Sequence, residues 1–265
     1  MALGVDSASS LASINWQSFY NWDGSYPTYA GRYFGGSFSW VPGEFIAAMK
    51  ETGGILNKIV PIQSCITGNE QATGAVGYNL GKTDAINTCL SIVSAINSGQ
   101  LVIPPSGSVY VYLDVEMGVN LSVDYWAAWS SNIFNYVMNG NCPFWPCIYT
   151  WYGAQPNGKF SPGESVQNVL NSVYTTYPDH ESLCYGLWSN EPEPNAYIAA
   201  KASPSWSVFN PVFQKTPGAS KPVPLLLYQF AEKGTNTAFA GGQNLDLDSD
   251  NSGITVAQNY MLTIA

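Results

Sequence analysis

Short apolar runs recur along the chain, and stretches of helical periodicity separate most of them. The first run is Leu3-Gly4-Val5, ending on Asp6, and the second covers residues 29–34. Pro42-Gly43-Glu44 then opens a helix that carries Phe45, Ile46, Ala48 and Met49 and stops at Gly53-Gly54. A third run covers residues 55–62. Ile86, Leu90, Val93 and Ile96 follow at spacings of three and four, which predicts an amphipathic helix over 83–97. The β-rich fourth run, 109–115, precedes a helix predicted over 123–138. The fifth run is 146–151. A helix opened by Ser161-Pro162-Gly163-Glu164 follows it, with Val166, Val169, Leu170 and Val173 on one face. The remaining runs are 183–188, 225–230 and 244–247, and the chain closes on a helix-like stretch over 254–264. Eight strand candidates alternating mostly with helices predict an α/β fold, a single (β/α)8 barrel of TIM type. The helix after the first run is poorly defined, as is any helix between the sixth and seventh. The 265 residues show no linker and no internal repeat, so the barrel is expected to occupy 1–265 as one domain.

Composition narrows the function. Hydrophobic residues make up 46%, and 17 Tyr, 11 Phe and 9 Trp exclude a disordered chain. Only 10% of residues are charged, and the net charge is −9. A chain with a single Arg and no basic cluster is a poor partner for a phosphate backbone or an anionic membrane surface, so neither nucleic acid nor membrane is expected. No apolar run reaches transmembrane length. The N-terminal MALGVDSASS lacks the basic and apolar stretches of a signal peptide, which leaves another export route, a removed leader or an internal protein. Low charge with abundant Asn, Ser, Thr, Tyr and Trp suits a secreted or cell-surface protein that handles polysaccharide. Of the five cysteines, Cys142 and Cys147 are placed to close a small loop around Pro143 and Pro146.

Catalytic groups of such barrels sit at the C-terminal ends of the strands. Asp6 ends the first run, Asp114 and Glu116 the fourth, and Asp246 and Asp248 the eighth. Residues i and i+2 of a strand share a face, about 6.6 Å apart, so Asp114 and Glu116 are expected to point together. The first and eighth strands are neighbours in a closed barrel, which brings Asp6 towards Asp246. Clustered acids with few cations suit general acid catalysis on a glycosidic bond, where one carboxyl stays protonated and another stabilises a positive centre. Taken singly, each acid is better explained as a helix cap or loop anchor; three strand ends together favour the chemistry. Tyr33, Phe34, Tyr149, Trp151, Trp188 and Tyr228 fall at strand ends too, with Gln229 beside the last, and rings with polar edges suit sugar faces. His180 stands alone in a polar stretch, so no His-dependent nucleophile is read. The stretch from Asp246 to Asp250 begins like a calcium loop, but Asn251 and Ala257 stand at its sixth and twelfth positions, and no EF-hand is read. No zinc or nucleotide motif is present, so neither metal nor cofactor is expected.

Gly4-Val5-Asp6, the stretch YVYLDVE over 110–116, CIYT over 147–150, Leu187-Trp188, Tyr228-Gln229 and residues 244–248 occur in an order that resembles the glycoside hydrolase family 25 lysozymes. GRYF over 31–34, Pro42-Gly43-Glu44-Phe45 and IVPIQ over 59–63 look closer to a sister group, the glycoside-hydrolase-like family first called domain of unknown function 1906. The resemblance implies a TIM barrel acting on peptidoglycan or a related polysaccharide. It implies Glu116 as general acid, Asp114 as its partner carboxylate, and Asp6 and Asp246 as the acids of the first and last strands. Arg32, which belongs to the sister group, and Asp248, where the lysozymes often carry Asn, are placed with the substrate contacts. Glu116 is expected to titrate above an ordinary Glu because its neighbours are acidic, unless Arg32 reaches it. The alternative is a carbohydrate-binding barrel without turnover, serving in targeting or structure.

Overall fold

The structure, a computed structural model, describes residues 2–36, 38–64, 68–115, 119–151, 166, 168–173, 184–190, 223, 225–231, 238–250 and 257–265. Eight strands close a barrel: β1 (Leu3–Ser7), β2 (Tyr29–Tyr33), β3 (Lys58–Gln63), β5 (Val109–Val115), β6 (Phe144–Trp151), β7 (Leu187–Asn190), β8 (Leu225–Ala231) and β9 (Asp246–Asp250). Neighbours from β1 to β8 run parallel, as the sequence predicts. The last strand does not. β9 lies antiparallel to both β8 and β1, so the barrel is of TIM type with its closing strand reversed.

A further departure concerns the C-terminus. The helix expected over 254–264 is, within the described residues, a 3-10 turn at Ala257–Tyr260 followed by strand β10 (Leu262–Ile264). Leu262 and Ile264 are buried while Thr263 is not, which is the period of a strand. β10 pairs antiparallel with the first half of β3 and with β4 (Leu101–Val102). The second half of β3 pairs with β5. Ala257 and Met261 enter the barrel interior from this end, and Tyr260 stacks on Tyr110 with ring centroids 4.5 Å apart, so the C-terminal segment plugs the floor.

Alternation along the strands divides the core into two layers. Tyr29, Tyr33, Ile62, Tyr112, Tyr149 and Trp188 fill the interior. Val5, Ala30, Ile59, Val111, Leu113 and Leu247 face outward against the helices. The helix α1 (Trp16–Asp23), poorly marked in the sequence, buries only Trp16 and Phe19; Asn15 caps it by accepting the Ser18 N–H, and Gly24 ends it in the left-handed conformation. α2 (Glu44–Glu51) starts where Pro42-Gly43-Glu44 predicts. α3 (Gly74–Asn97) starts nine residues before the helix predicted over 83–97. The extra turns contain Gly77 and Gly81, and a Cβ at Gly81 would strike the carbonyl oxygen of Tyr125 in α4 (Val123–Phe134). Gly81 is what lets the two helices touch, while a Cβ at Gly77 would strike the carbonyl oxygen of Ala72. Val166, Val169, Leu170 and Val173 are all buried, consistent with the single face predicted for them.

Candidate active site

The reversal of β9 decides how the carboxylates meet. Asp246 opens the strand rather than ending it, and the antiparallel register sets it directly beside Asp6, near the C-terminal end of β1. Asp248 pairs with Gly4, two residues deeper, and Leu247 between them faces the helices. Asp246, Asp248 and Asp250 therefore share the interior face of β9 in single file. Asp250 belongs to the opposite end, where it accepts hydrogen bonds from the Ala2 N–H (2.5 Å) and Gln258 Nε2 (2.9 Å).

Asp6 and Asp248 form the centre of the cluster. Asp6 is 7% exposed and Asp248 is completely buried. Burial holds the Asp6 carboxyl well above its ordinary value, and the charges of Asp248, Asp246 and Asp114 push it further the same way. Burial raises Asp248 as well, followed by the charge of Asp246, while donors from Trp188 and Asp6 oppose the shift. Both carboxyls are thus held towards the protonated form, and the hydrogen bond between them raises Asp6 and lowers Asp248. Trp188 Nε1 donates to Asp248 Oδ1 at 3.0 Å and fixes its orientation. Asp114 lies across the interior on β5, where Tyr33 donates its hydroxyl to Oδ2 at 3.0 Å. Tyr149 donates to Gln229 Oε1 at 2.5 Å, and its ring meets Trp188 edge-to-face at 5.2 Å. The hydroxyls of Tyr29 and Tyr149 are pushed well above the usual phenol range, by burial first and by nearby carboxylates second, so they remain donors.

Of the residues named from sequence, Asp6, Asp114, Asp246, Asp248, Tyr149, Trp188 and Gln229 come together inside the barrel. Trp188, Gln229 and Asp248 are so fully buried that they form the floor beneath the mouth rather than its surface. Arg32 is a correction. Interior positions on β2 are Tyr29, Gly31 and Tyr33, so parity sends Arg32 outward, where its Nε donates to Glu44 Oε1 at 2.9 Å. Tyr228 is another correction: it packs in the barrel–helix layer, away from the acids. Cys142 is exposed while Cys147 lies inside the barrel, and both are free thiols, so the loop closure expected from their spacing is not formed. Glu116 and the side chain of Trp151 lie outside the described residues. Two contacts went unread in sequence: the Tyr33 hydroxyl on Asp114, and the direct pairing of Asp6 with Asp248. The second had a signal, since Asp246 and Asp248 are two apart and must share a face.

Gly31 explains how an indole fits among these groups. A Cβ there would lie 2.5 Å from Trp188 Cη2 and 2.8 Å from Asp6 Cβ. Gly31→Ala is expected to cost about 1–3 kcal/mol through overpacking, read as a lower urea midpoint, and to change Trp188 emission as the indole leaves Asp248. A midpoint equal to wild type would show that the interior has slack there.

The raised pair also predicts a pH dependence. Both carboxyls titrate in the folded chain above the ordinary 3.8, so across a window rising from that value the native state holds protons that the unfolded chain has released. Stability from this source is present below 3.8 and is lost as pH rises through the folded values. Asp248→Asn keeps an acceptor for Trp188 and removes one charge. It is expected to melt higher than wild type at pH 8 and no higher at pH 4. Equal differences at both pH values would remove the pair from the pH response.

In fold the chain is similar to an uncharacterized B. stearothermophilus protein, with a TM-score of 0.60 at 16% identity, over 98% of this chain and 100% of that one. Lower likenesses are to the catalytic domain of endolysin ply40 from bacteriophage P40 of Listeria monocytogenes and to a family 25 glycosyl hydrolase from Bacillus anthracis. The endolysin domain gives a TM-score of 0.45 at 13% identity, covering 98% of each chain. The hydrolase gives 0.46 at 14%, covering 98% of this chain and 93% of that one. No protein-family model and no curated protein matches the chain.

Proposed function

We propose that the protein is a glycoside hydrolase acting on peptidoglycan or a related cell-wall polysaccharide. The observation that carries this reading is the gathering of Asp6, Asp114, Asp246 and Asp248 inside one end of the barrel, where the groups that raise Asp6 are burial and other acids. Such a set separates protonated from ionised carboxyls at one place, which cleavage of a glycosidic bond through an oxocarbenium-like state requires. In this reading Glu116, two residues beyond Asp114, protonates the leaving oxygen. Asp114, oriented by the Tyr33 hydroxyl, or Asp246 stabilises the developing positive charge. The Asp6–Asp248 pair holds the local field negative without adding two full charges. A neighbouring acetamido group of the sugar can serve as internal nucleophile, since no acid is an obvious covalent one. A secreted or cell-surface location goes with such a substrate.

The test is release of reducing ends from purified peptidoglycan and from chitin oligosaccharides by the wild-type chain. Release from either supports the hydrolase. Binding to sacculi with no release would assign a carbohydrate-binding barrel instead.

A further inference from the structure

The ends of the strand-to-helix connection between β2 and α2 are held unusually firmly. Arg32, itself 2% exposed, directs its guanidinium at three acceptors: Glu44 Oε1, the carbonyl of Phe38 and, at 3.2 Å, the carbonyl of Ser39. The Trp40 N–H closes the loop on the Tyr33 carbonyl at 3.0 Å. Gly35 N–H donates to Ser39 Oγ at 2.9 Å, and the Trp40 indole donates to Ser91 Oγ on α3 at 3.0 Å. The backbone carbonyl of Phe38 is therefore fixed by a buried cation, yet the residue is 37% exposed. Among the described residues, the exposed rings are Tyr20, Phe38 and Tyr78, and of these only Phe38 has a ring contact with an interior residue, meeting Tyr33 at 6.2 Å. Tyr33 is the residue whose hydroxyl holds Asp114.

We propose that Phe38 is a sugar-stacking platform at the rim of the barrel mouth, positioned by Arg32, and that it binds a hexopyranose unit of the glycan next to the one that meets Asp114. The inference rests on the glycan-directed reading above. An exposed ring offers its face to the axial C–H groups of a sugar, and a ring already fixed by its backbone loses little freedom on binding. Arg32 touches no sugar in this arrangement; its part is to hold the carbonyls of Phe38 itself and of Ser39.

The probe is chitotetraose, titrated calorimetrically into the full chain, alongside hydrolysis kinetics. Phe38→Ala is expected to weaken chitotetraose binding and raise KM by about tenfold, the upper end of what one aromatic face supplies, with kcat within about twofold. Phe38→Trp is expected to bind as wild type or tighter. Because the ring is exposed, the melting temperature of Phe38→Ala should stay within a few degrees of wild type, which separates a lost contact from a lost fold. Wild-type binding with Phe38→Ala unchanged would overturn the platform and leave the hydrolase reading standing. A wild-type chain that binds neither chitotetraose nor sacculi would overturn both.

Discussion

Glu116→Gln is expected to lower reducing-end release by about 10²–10⁴-fold while leaving affinity for chitotetraose within about twofold. The substitution keeps size and hydrogen-bonding shape and removes only the transferable proton. The expected loss falls on kcat because a proton donor acts as the bond breaks, not when the sugar settles. The frame around it is in place: Asp114 is buried and receives the Tyr33 hydroxyl, so the carboxylate two residues before Glu116 has one orientation. Asp114→Asn should also lower kcat, by a smaller factor, because it removes a stabilising charge and keeps the donor. Turnover unchanged in Glu116→Gln would take this residue out of the mechanism and leave Asp6 and Asp246 as the acids to examine.

The second large effect is on stability. Arg32→Met should destabilise the chain by about 3–5 kcal/mol, because Glu44, with no exposed surface, would keep a charge that has lost its partner. Glu44 also accepts the Leu11 N–H at 3.2 Å, so its ionised form orders the segment after β1 as well as the start of α2. Removing both charges in Arg32→Met with Glu44→Gln should recover much of the loss, since an apolar or neutral pair avoids the stranded charge. Urea unfolding of the wild-type chain and the two variants measures this directly. A single mutant as stable as wild type would mean that water reaches Glu44 despite its burial.

The strands were readable because each apolar run carries β-rich composition and a polar terminator. The direction of the last was not. Residues 244–250 are the same segment whether β9 runs up or down, and nothing local distinguishes the two. Asp246 reached the place expected of it beside Asp6 because the strand starts at the mouth rather than ending there. Arg32 was placed with the substrate contacts through the resemblance to the sister group, yet strand parity with Tyr33 already placed it on the other face. Tyr228 is the harder case: the pairing of β7 with β8 shifts register between Leu187 and Trp188, and an irregularity of that kind resets the alternation without a sequence mark. The turn and strand at the C-terminus escaped detection because Ala257, Met261 and Leu262 also fit a helical spacing over so short a stretch.

The reversed closing strand has a consequence for how the chain is made. β1 has β2 on one edge, a strand made soon after it, but its other edge belongs to β9. Positions as far apart as Ala2 and Asp250, separated by 248 in sequence, must wait for one another. At about 5–20 residues per second, that is roughly 12–50 s during which the strand carrying Asp6 is an open edge. Throughout that interval the nascent barrel can be misjoined by any other extended segment, and a nascent-chain chaperone would have its longest task at the first strand synthesised.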